Sequence, residues 1–464
     1  MEKVRNWEQL TGKGDVAARQ YVLKMVEGVL SVMDARKRIF NLMKLNGDVL
    51  TVGNKQWDLT QKKNIYLFGA GKACNAMAEA VCDILGERIT KGIICVKIAE
   101  ENDQYINTNV YVGGHPLPNE EGMQAAKAIY EMIDQAVAED LFISVFSGGS
   151  SALLTYPVNG ITLDDEIVTQ DVLLRSGAKI LEINAVRRHI SQTNGGWMAE
   201  RIFAKGAEMI SLIISDSVGA LPTIDRNIPQ LFYGTMVAPD GTTIQDARDT
   251  IINYNLFDKI PKSVTSYLWN DSRVVETPKI HHESFTSYVL DSVPDSCAEA
   301  KKLAEKFGIP IMVLTTFIEG ESREVGIVMA SIAREIQQNK QPISPPCYVV
   351  FSGETTTCLE TKVSGKGGPS QELVMGFCLG AKDCDGIAIA SIDTEGSDGT
   401  TIYAGGLADT KTYNRLLEKG LNPFKVLRLH CTSDALETIG DIIFTGNTGT
   451  NVCDFNVMFV DAIK

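Results

Sequence analysis

The sequence is poor in the residues that build metal and redox centres: of its 464 residues only five are histidine, none in an HxxH or HExxH pattern, and its 10 cysteines form no CxxC pair. A zinc site is therefore not expected. Cys95 and Cys347 lie inside apolar runs and read as small core residues of a reduced protein. Positive charge is also short, 44 Lys and Arg against 58 Asp and Glu, for a formal net charge of −14. Without a basic footprint the chain is not expected to bind nucleic acid or an anionic membrane. No apolar run approaches the roughly 20 residues that cross a bilayer, and the segment from Met1 to Trp7 has no apolar signal core, so a cytoplasmic protein is expected. The GxxxxGKS/T pattern of a P-loop and the GxSxG pattern of a serine nucleophile are absent too.

What the chain does have is a set of glycine- and hydroxyl-rich loops, each after a short apolar run that reads as a parallel strand. They are Gly69-Ala70-Gly71-Lys72-Ala73, Ser147-Gly148-Gly149-Ser150-Ser151, Ser352-Gly353-Glu354-Thr355-Thr356-Thr357, and Thr445-Gly446-Asn447-Thr448-Gly449-Thr450-Asn451. Backbone N–H groups freed by glycine, with a helix N-terminus behind them, seat phosphate or carboxylate anions. Several such seats point to a phosphorylated ligand.

A 44% apolar, 22% charged composition is that of a globular protein, and the length suits two domains. Residues 15–47 read as helices. Strands 64–69, 91–98, 142–147 and 209–215 alternate with helices 72–86 and 177–188, which specifies a parallel sheet covered on both faces. Ligands of such sheets bind at the carboxyl ends of the strands. Residues 220–285 read as irregular, being punctuated by Pro222, Pro229, Pro239, Pro261 and Pro278. Helix-like segments at 296–307 and 322–338 flank a strand at 310–316, and strands are expected from Cys347, at 386–392 and at 456–460. The boundary between domains 1–275 and 276–464 is placed within 270–345.

Each motif has a plain alternative. Lys72 could reach a phosphate held on its own turn, or be a surface lysine. Ser147, Gly148, Gly149 and Ser150 could cradle a phosphate, or form a tight turn. Arg188 and His189 are neighbours on a helix and face differently, so at least one belongs to a solvated patch. Asp216, at the end of an apolar strand, could hold a metal ion, accept a substrate proton, or cap the next helix. The segment from Asp393 to Gly399 lacks the terminal glutamate of an EF-hand and reads better as a magnesium–nucleotide or polyol loop.

Taken together, these residues resemble the two-domain glycerate kinases, also described as hydroxypyruvate reductases, which pair an N-terminal Rossmann-like domain with a smaller α/β MOFRL domain. Gly71-Lys72-Ala73 matches GKA, and Gly114-His115-Pro116-Leu117-Pro118-Asn119 matches GHPxPD. The run from Ser147 to Leu154 matches SGGxSALL, and that from Asn184 to His189 matches NxVRKH. Ile214-Ser215-Asp216, Gly320-Glu321-Ser322-Arg323-Glu324, Gly353-Glu354-Thr355-Thr356 and the run from Thr445 to Val452 resemble ISD, GEARE, GGETT and TGPTGTNV. There are departures. SGPTVPD is represented only by the run from Tyr233 to Asp240, and GRGGRNQE becomes Gly365-Lys366-Gly367-Gly368-Pro369-Ser370-Gln371-Glu372, with Pro369 at the second arginine. A guanidinium fork is lost there, and Lys366 is a point charge rather than a fork.

The resemblance implies an α/β fold with an interdomain cleft and an ATP- and Mg2+-dependent kinase for D-glycerate or a related sugar acid. By it, Lys72 stabilises the transferring phosphoryl group and Asp216 binds Mg2+ or orients the hydroxyl. Gly71, Ser147, Gly148, Gly149, Ser150, Arg188, Glu354, Lys366, Gln371, Thr448, Gly449, Thr450 and Asn451 hold phosphate or carboxylate. The partners implied are a small-molecule substrate and ATP, with a homodimer admitted. Two other readings stay open: an NAD(P)H-dependent hydroxypyruvate reductase, which lacks a complete GxGxxG here, and a non-catalytic sugar-acid-binding homologue.

Overall fold

The computed structural model describes residues 2–100, 103–223, 225–230, 236–359 and 365–462. They form two compact units, one made of residues 35–215 and 224–290, the other of 1–34, 216–223 and 291–464. The units are not consecutive halves of the chain, as a division at 275/276 would make them. The first 34 residues pack with the C-terminal ones because Arg19, on helix Val16–Val32, has its wholly buried guanidinium paired with Asp409 and Asp441.

The unit around residues 35–215 opens with helix Ala35–Leu42 and an antiparallel sheet of β1 (Met43–Asn46), β2 (Val49–Val52) and β3 (Lys55–Asp58). The helical expectation for residues 15–47 thus fails at its end, where the two-residue turn Gly47-Asp48 joins β1 to β2 as a hairpin. The main sheet contains β4 (Ile65–Ala70), β5 (Lys91–Val96), β6 (Thr108–Val112), β7 (Leu141–Phe146), β8 (Glu208–Ile214) and β9 (Phe285–Asp291) in the order β6-β5-β4-β7-β8-β9. β6, β5, β4, β7 and β8 run parallel. Every residue of β4 and β7 is buried, the pattern of strands covered on both faces. Phe68 sits edge-on to Phe142 and Phe146, with ring centroids 6.1 and 5.9 Å away, and these rings centre one core layer.

The stretch 220–285 is more ordered than its prolines suggest, for it contains helices Ile244–Asn253 and Lys262–Asn270. The prolines lie outside both: Thr243 and Asp246 make a capping box for the first, and Pro261 is the N-cap of the second. Tyr233, Gly234 and Thr235 lie outside the described residues.

The other unit holds a mixed sheet of β10 (Ile311–Ile318), β11 (Cys347–Gly353), β12 (Ile387–Asp393), β13 (Gly405–Asp409), β14 (Ile442–Ile443) and β15 (Asp454–Val460), in the order β10-β11-β15-β12-β13-β14. Only β10 and β11 pair in parallel; β15 runs antiparallel to both β11 and β12. This corrects the expectation that all four glycine loops follow parallel strands and precede helices. The first two lead into helices Cys74–Leu85 and Ser150–Leu153. The third follows β11 with no helix directly behind it, and the fourth joins β14, antiparallel to β13, to β15. No helix among the described residues is long and apolar enough to cross a membrane.

Candidate functional site

At the carboxyl ends of β4 and β7 the first two glycine loops are stitched to each other. Ser147 Oγ accepts the Ala73 N–H at 2.9 Å, and the Lys72 N–H donates to Gly148 O at 3.0 Å. Gly71 has φ +142°, and a Cβ there would lie 2.1 Å from Ser147 Oγ, so only glycine permits this approach. Lys72 is thereby fixed at the end of the sheet, where ligands of parallel sheets bind. Ser147 shapes the turn that carries Lys72, a role beside the phosphate contact the sequence suggested. Gly148 lends its carbonyl, and Gly149, at φ +83°, leads into Ser150. His115, from the loop after β6, lies over Gly149 beside the Lys72 side chain. Sequence reading gave it no role, and β6, the strand before it, was not among the strands expected.

The Arg188 guanidinium is engaged within the fold, since its Nη1 donates to Asp240 Oδ1 at 2.8 Å. Burial pushes the Asp240 carboxyl up, but the Thr242 N–H, the Arg188 charge and the Thr242 and Thr277 hydroxyls bring it below its ordinary value. Burial lowers the pKa of Arg187, its chain neighbour, while Glu166 opposes that shift. Burial raises the Glu166 carboxyl, against hydrogen bonds from Thr155 and Gln170. His189 is buried, with Nδ1 2.7 Å from Ala185 O.

The other unit gathers acids. Asp216 follows β8 with no helix among the described residues before Ile244–Asn253, which removes the capping alternative. Its Oδ2 accepts from Asn451 Nδ2 at 3.4 Å, and its carbonyl from Cys453 Sγ at 2.7 Å. The loop 446–451 is therefore bound to Asp216. Burial pushes the Asp454 carboxyl far above its usual range, and the charges of Asp393, Asp398 and Glu354 add to the rise. Glu354 is exposed, and its N–H donates to Ile318 O at 2.9 Å. Thr448 Oγ1 bonds to Thr394 O, Gly449 N–H donates to Asn447 Oδ1 at 3.1 Å, and Thr450 N–H to Thr448 Oγ1 at 3.3 Å. These contacts fold the fourth loop on itself and on Thr394.

Asp398 accepts the Ser370 and Gln371 N–H groups, 3.1 and 2.9 Å, at the N-terminus of helix Pro369–Ala381. The acid loop from Asp393 to Gly399 thus caps that helix, a role invisible in its spacing. The Gln371 amide is spent on Thr401 and Ser433, 3.2 and 2.5 Å, whereas Lys366 is exposed beside it. Glu372 bonds His430 Nδ1 at 2.6 Å. Burial raises the Glu372 carboxyl even so.

Residues 21–269 match the family described as a domain of unknown function, DUF4147, and residues 347–454 match the MOFRL family. The chain is 36% identical to glycerate 2-kinase of Pyrococcus horikoshii, over 94% of this chain and 95% of that one. It is 33% identical to D-glycerate 2-kinase of Thermotoga maritima, over 84% of this chain and 89% of that one. The crystal structure of glycerate kinase from Thermotoga maritima superposes with a TM-score of 0.76 at 28% identity, covering 96% of this chain and all of that one.

Proposed function

The chain belongs to the two-domain glycerate kinase family, in which a DUF4147 domain is joined to a MOFRL domain, and on that premise we propose that it transfers the γ-phosphoryl group of ATP to the 2-hydroxyl of D-glycerate or a related small sugar acid. The near-full-length likeness to glycerate 2-kinases carries this reading. In the reaction the substrate hydroxyl oxygen forms a bond to phosphorus, the bond from phosphorus to the ADP oxygen breaks, and the hydroxyl proton leaves to a base. Such transfer needs positioned charge more than covalent chemistry by the protein. Lys72, locked by the Ser147 and Gly148 contacts, supplies a preorganised cation for the phosphoryl oxygens. Asp216, oriented by Asn451, is the acid that receives the proton or orients the hydroxyl. The enzyme is taken to act in the cytoplasm.

The carboxylates around Asp454 fit a hard divalent cation, because burial and mutual repulsion raise that carboxyl and positive charge relieves both. Among the described residues no three His, Cys, Asp or Glu side chains form a ready metal cage. Mg2+ in kinases needs none, since it takes one or two carboxylates together with substrate phosphates. One or two of Asp216, Asp393 and Asp454 would hold it together with the substrate phosphates, and when bound it would neutralise charge on those phosphates.

The test is a panel of C3 to C6 sugar acids assayed for ADP release with ATP and Mg2+, with NADH oxidation by hydroxypyruvate as the parallel arm. Acid-dependent ADP release supports the kinase. NADH oxidation without ADP release overturns it.

A further inference from the structure

The kinase reading leaves one side chain beside Lys72 unused. A Cβ placed on Gly149 would meet His115 Cδ2 at 3.1 Å, His115 Nε2 at 3.2 Å and Lys72 Cγ at 3.2 Å. The Nε2 edge of the imidazole and the stem of Lys72 therefore flank one backbone point, and the absence of a side chain at Gly149 leaves that space to them.

The placement of His115 is built into the fold. Gly113 N–H donates to Val96 O at 2.9 Å, tying the segment after β6 to the end of β5. A Cβ at Gly113 would lie 2.4 Å from Leu153 O and 2.8 Å from Cys95 Sγ, so the backbone there is pressed onto the end of helix Ser150–Leu153. At the far side Asn119 donates to Val112 O at 3.0 Å and accepts the Gly122 N–H at 2.9 Å, closing the loop and capping helix Glu120–Asp134. A half-buried imidazole between two such ties is held in position.

We propose that His115 is a catalytic residue of the same site, donating a hydrogen bond from Nε2 to the phosphoryl group that Lys72 contacts. The proposal rests on the kinase reading for the nature of that group. A donor and a cation reaching one group from the ends of different strands fix its orientation as well as its charge, which a single flexible lysine does not.

Three variants test it under the sugar-acid assay. His115→Ala should lower kcat on the order of a hundredfold, as loss of one preorganised donor does, with the KM values for acid and ATP little changed. His115→Gln, whose amide can donate from a similar distance, should recover part of the loss. His115→Phe, which fills the space without a donor, should not; full turnover by this variant would reduce His115 to packing and sink the proposal. A second readout needs no turnover. The chain has five histidines, so the His115 signal in an imidazole-labelled NMR spectrum is identified by its loss in His115→Gln. It should shift on saturation with ATP or with inorganic phosphate, and an unmoved signal with both overturns the contact. If no sugar acid supports ADP release the kinase reading fails separately, and the imidazole signal still decides the role of His115.

Discussion

Arg19 grips Asp441 with two parallel bonds, Nη1 to Oδ1 at 2.9 Å and Nη2 to Oδ2 at 2.8 Å, with both side chains wholly buried. Its Nε reaches Asp409, and its Nη1 also donates to Leu10 O at 2.9 Å. One guanidinium thus ties the N-terminal helices to two strand-end acids nearly the whole chain away. Removing Arg19 leaves two buried carboxylates, Asp409 and Asp441, to share Arg415 as their remaining counterion. Arg19→Ala should therefore cost about 3–5 kcal/mol, read as a lower urea midpoint for the unit containing residues 291–464. An unchanged midpoint would show that the pair contributes nothing net.

Asp398 gives a pH signature of the opposite kind from a surface acid. Burial pushes its carboxyl up to about 7, against the N–H groups of Gln371 and Ser370 that favour its charged form. Because the folded value lies above that of the unfolded chain, the native state binds the extra proton between about pH 4 and 7. This group's contribution to stability is complete below about pH 4 and is lost as the pH rises through 7. Asp398→Asn should flatten that part of the stability profile, measured by urea unfolding at several pH values. An identical slope in both proteins would refute the assignment.

Lys72→Ala should lower kcat on the order of a hundredfold or more, as loss of a preorganised charge stabiliser does. The thermal transition should stay close to that of the wild type, because the bonds from Ala73 N–H to Ser147 Oγ and from Lys72 N–H to Gly148 O hold the turn and survive the substitution. Wild-type turnover in that variant removes Lys72 from the mechanism.

Much of this was legible in the sequence, for physical reasons that differ by element. Leu141–Phe146 reads as a parallel strand because a strand buried on both faces is apolar throughout. Lys72 reads as a candidate because it follows glycines at a strand end, although the motif alone suits a surface lysine equally; the other glycine loops tip that reading. His115 did not, since its meeting with Gly149 depends on the strand order β6-β5-β4-β7, which no local segment encodes. Asp398 was hidden likewise: its helix begins at Pro369, and a cap supplied from 28 residues away looks like a ligand loop. The hold of Arg19 on Asp409 and Asp441 joins opposite ends of the chain and has no periodicity to reveal it.

With the capping alternative removed for Asp216, a single isosteric change becomes informative. Asp216→Asn keeps an oxygen for the Asn451 amide but loses the negative charge that binds a cation or takes a proton. Turnover should be abolished while the melting temperature stays close to wild type. Retained activity would leave Asp216 as a scaffold for the loop 446–451 and transfer its proposed role to another acid of the cluster.

Pro369 makes the sharpest prediction, because the fold explains why proline is tolerated where relatives of this type are expected to carry arginine. It opens helix Pro369–Ala381 at the first helical position, where a missing N–H costs nothing and the fixed φ suits the turn. Proline supplies neither charge nor donor, so a bidentate hold on carboxylate or phosphoryl oxygen is absent, and Lys366, exposed on the same loop, cannot reproduce a fork. The wild-type enzyme should then be poor with D-glycerate and better with a longer polyhydroxy acid that brings its own hydrogen bonds. Pro369→Arg should raise kcat/KM for D-glycerate: arginine is a good helix former, the unfavourable helix-dipole term for a cation in the first turn is small, and the Asp398 cap on Ser370 and Gln371 is untouched. The measurement is kcat/KM for D-glycerate and for the best acid of the panel in both proteins. Efficient wild-type turnover of D-glycerate, close to that of the best acid, would show that the fork is dispensable here and that the cation for the substrate comes from elsewhere in the site.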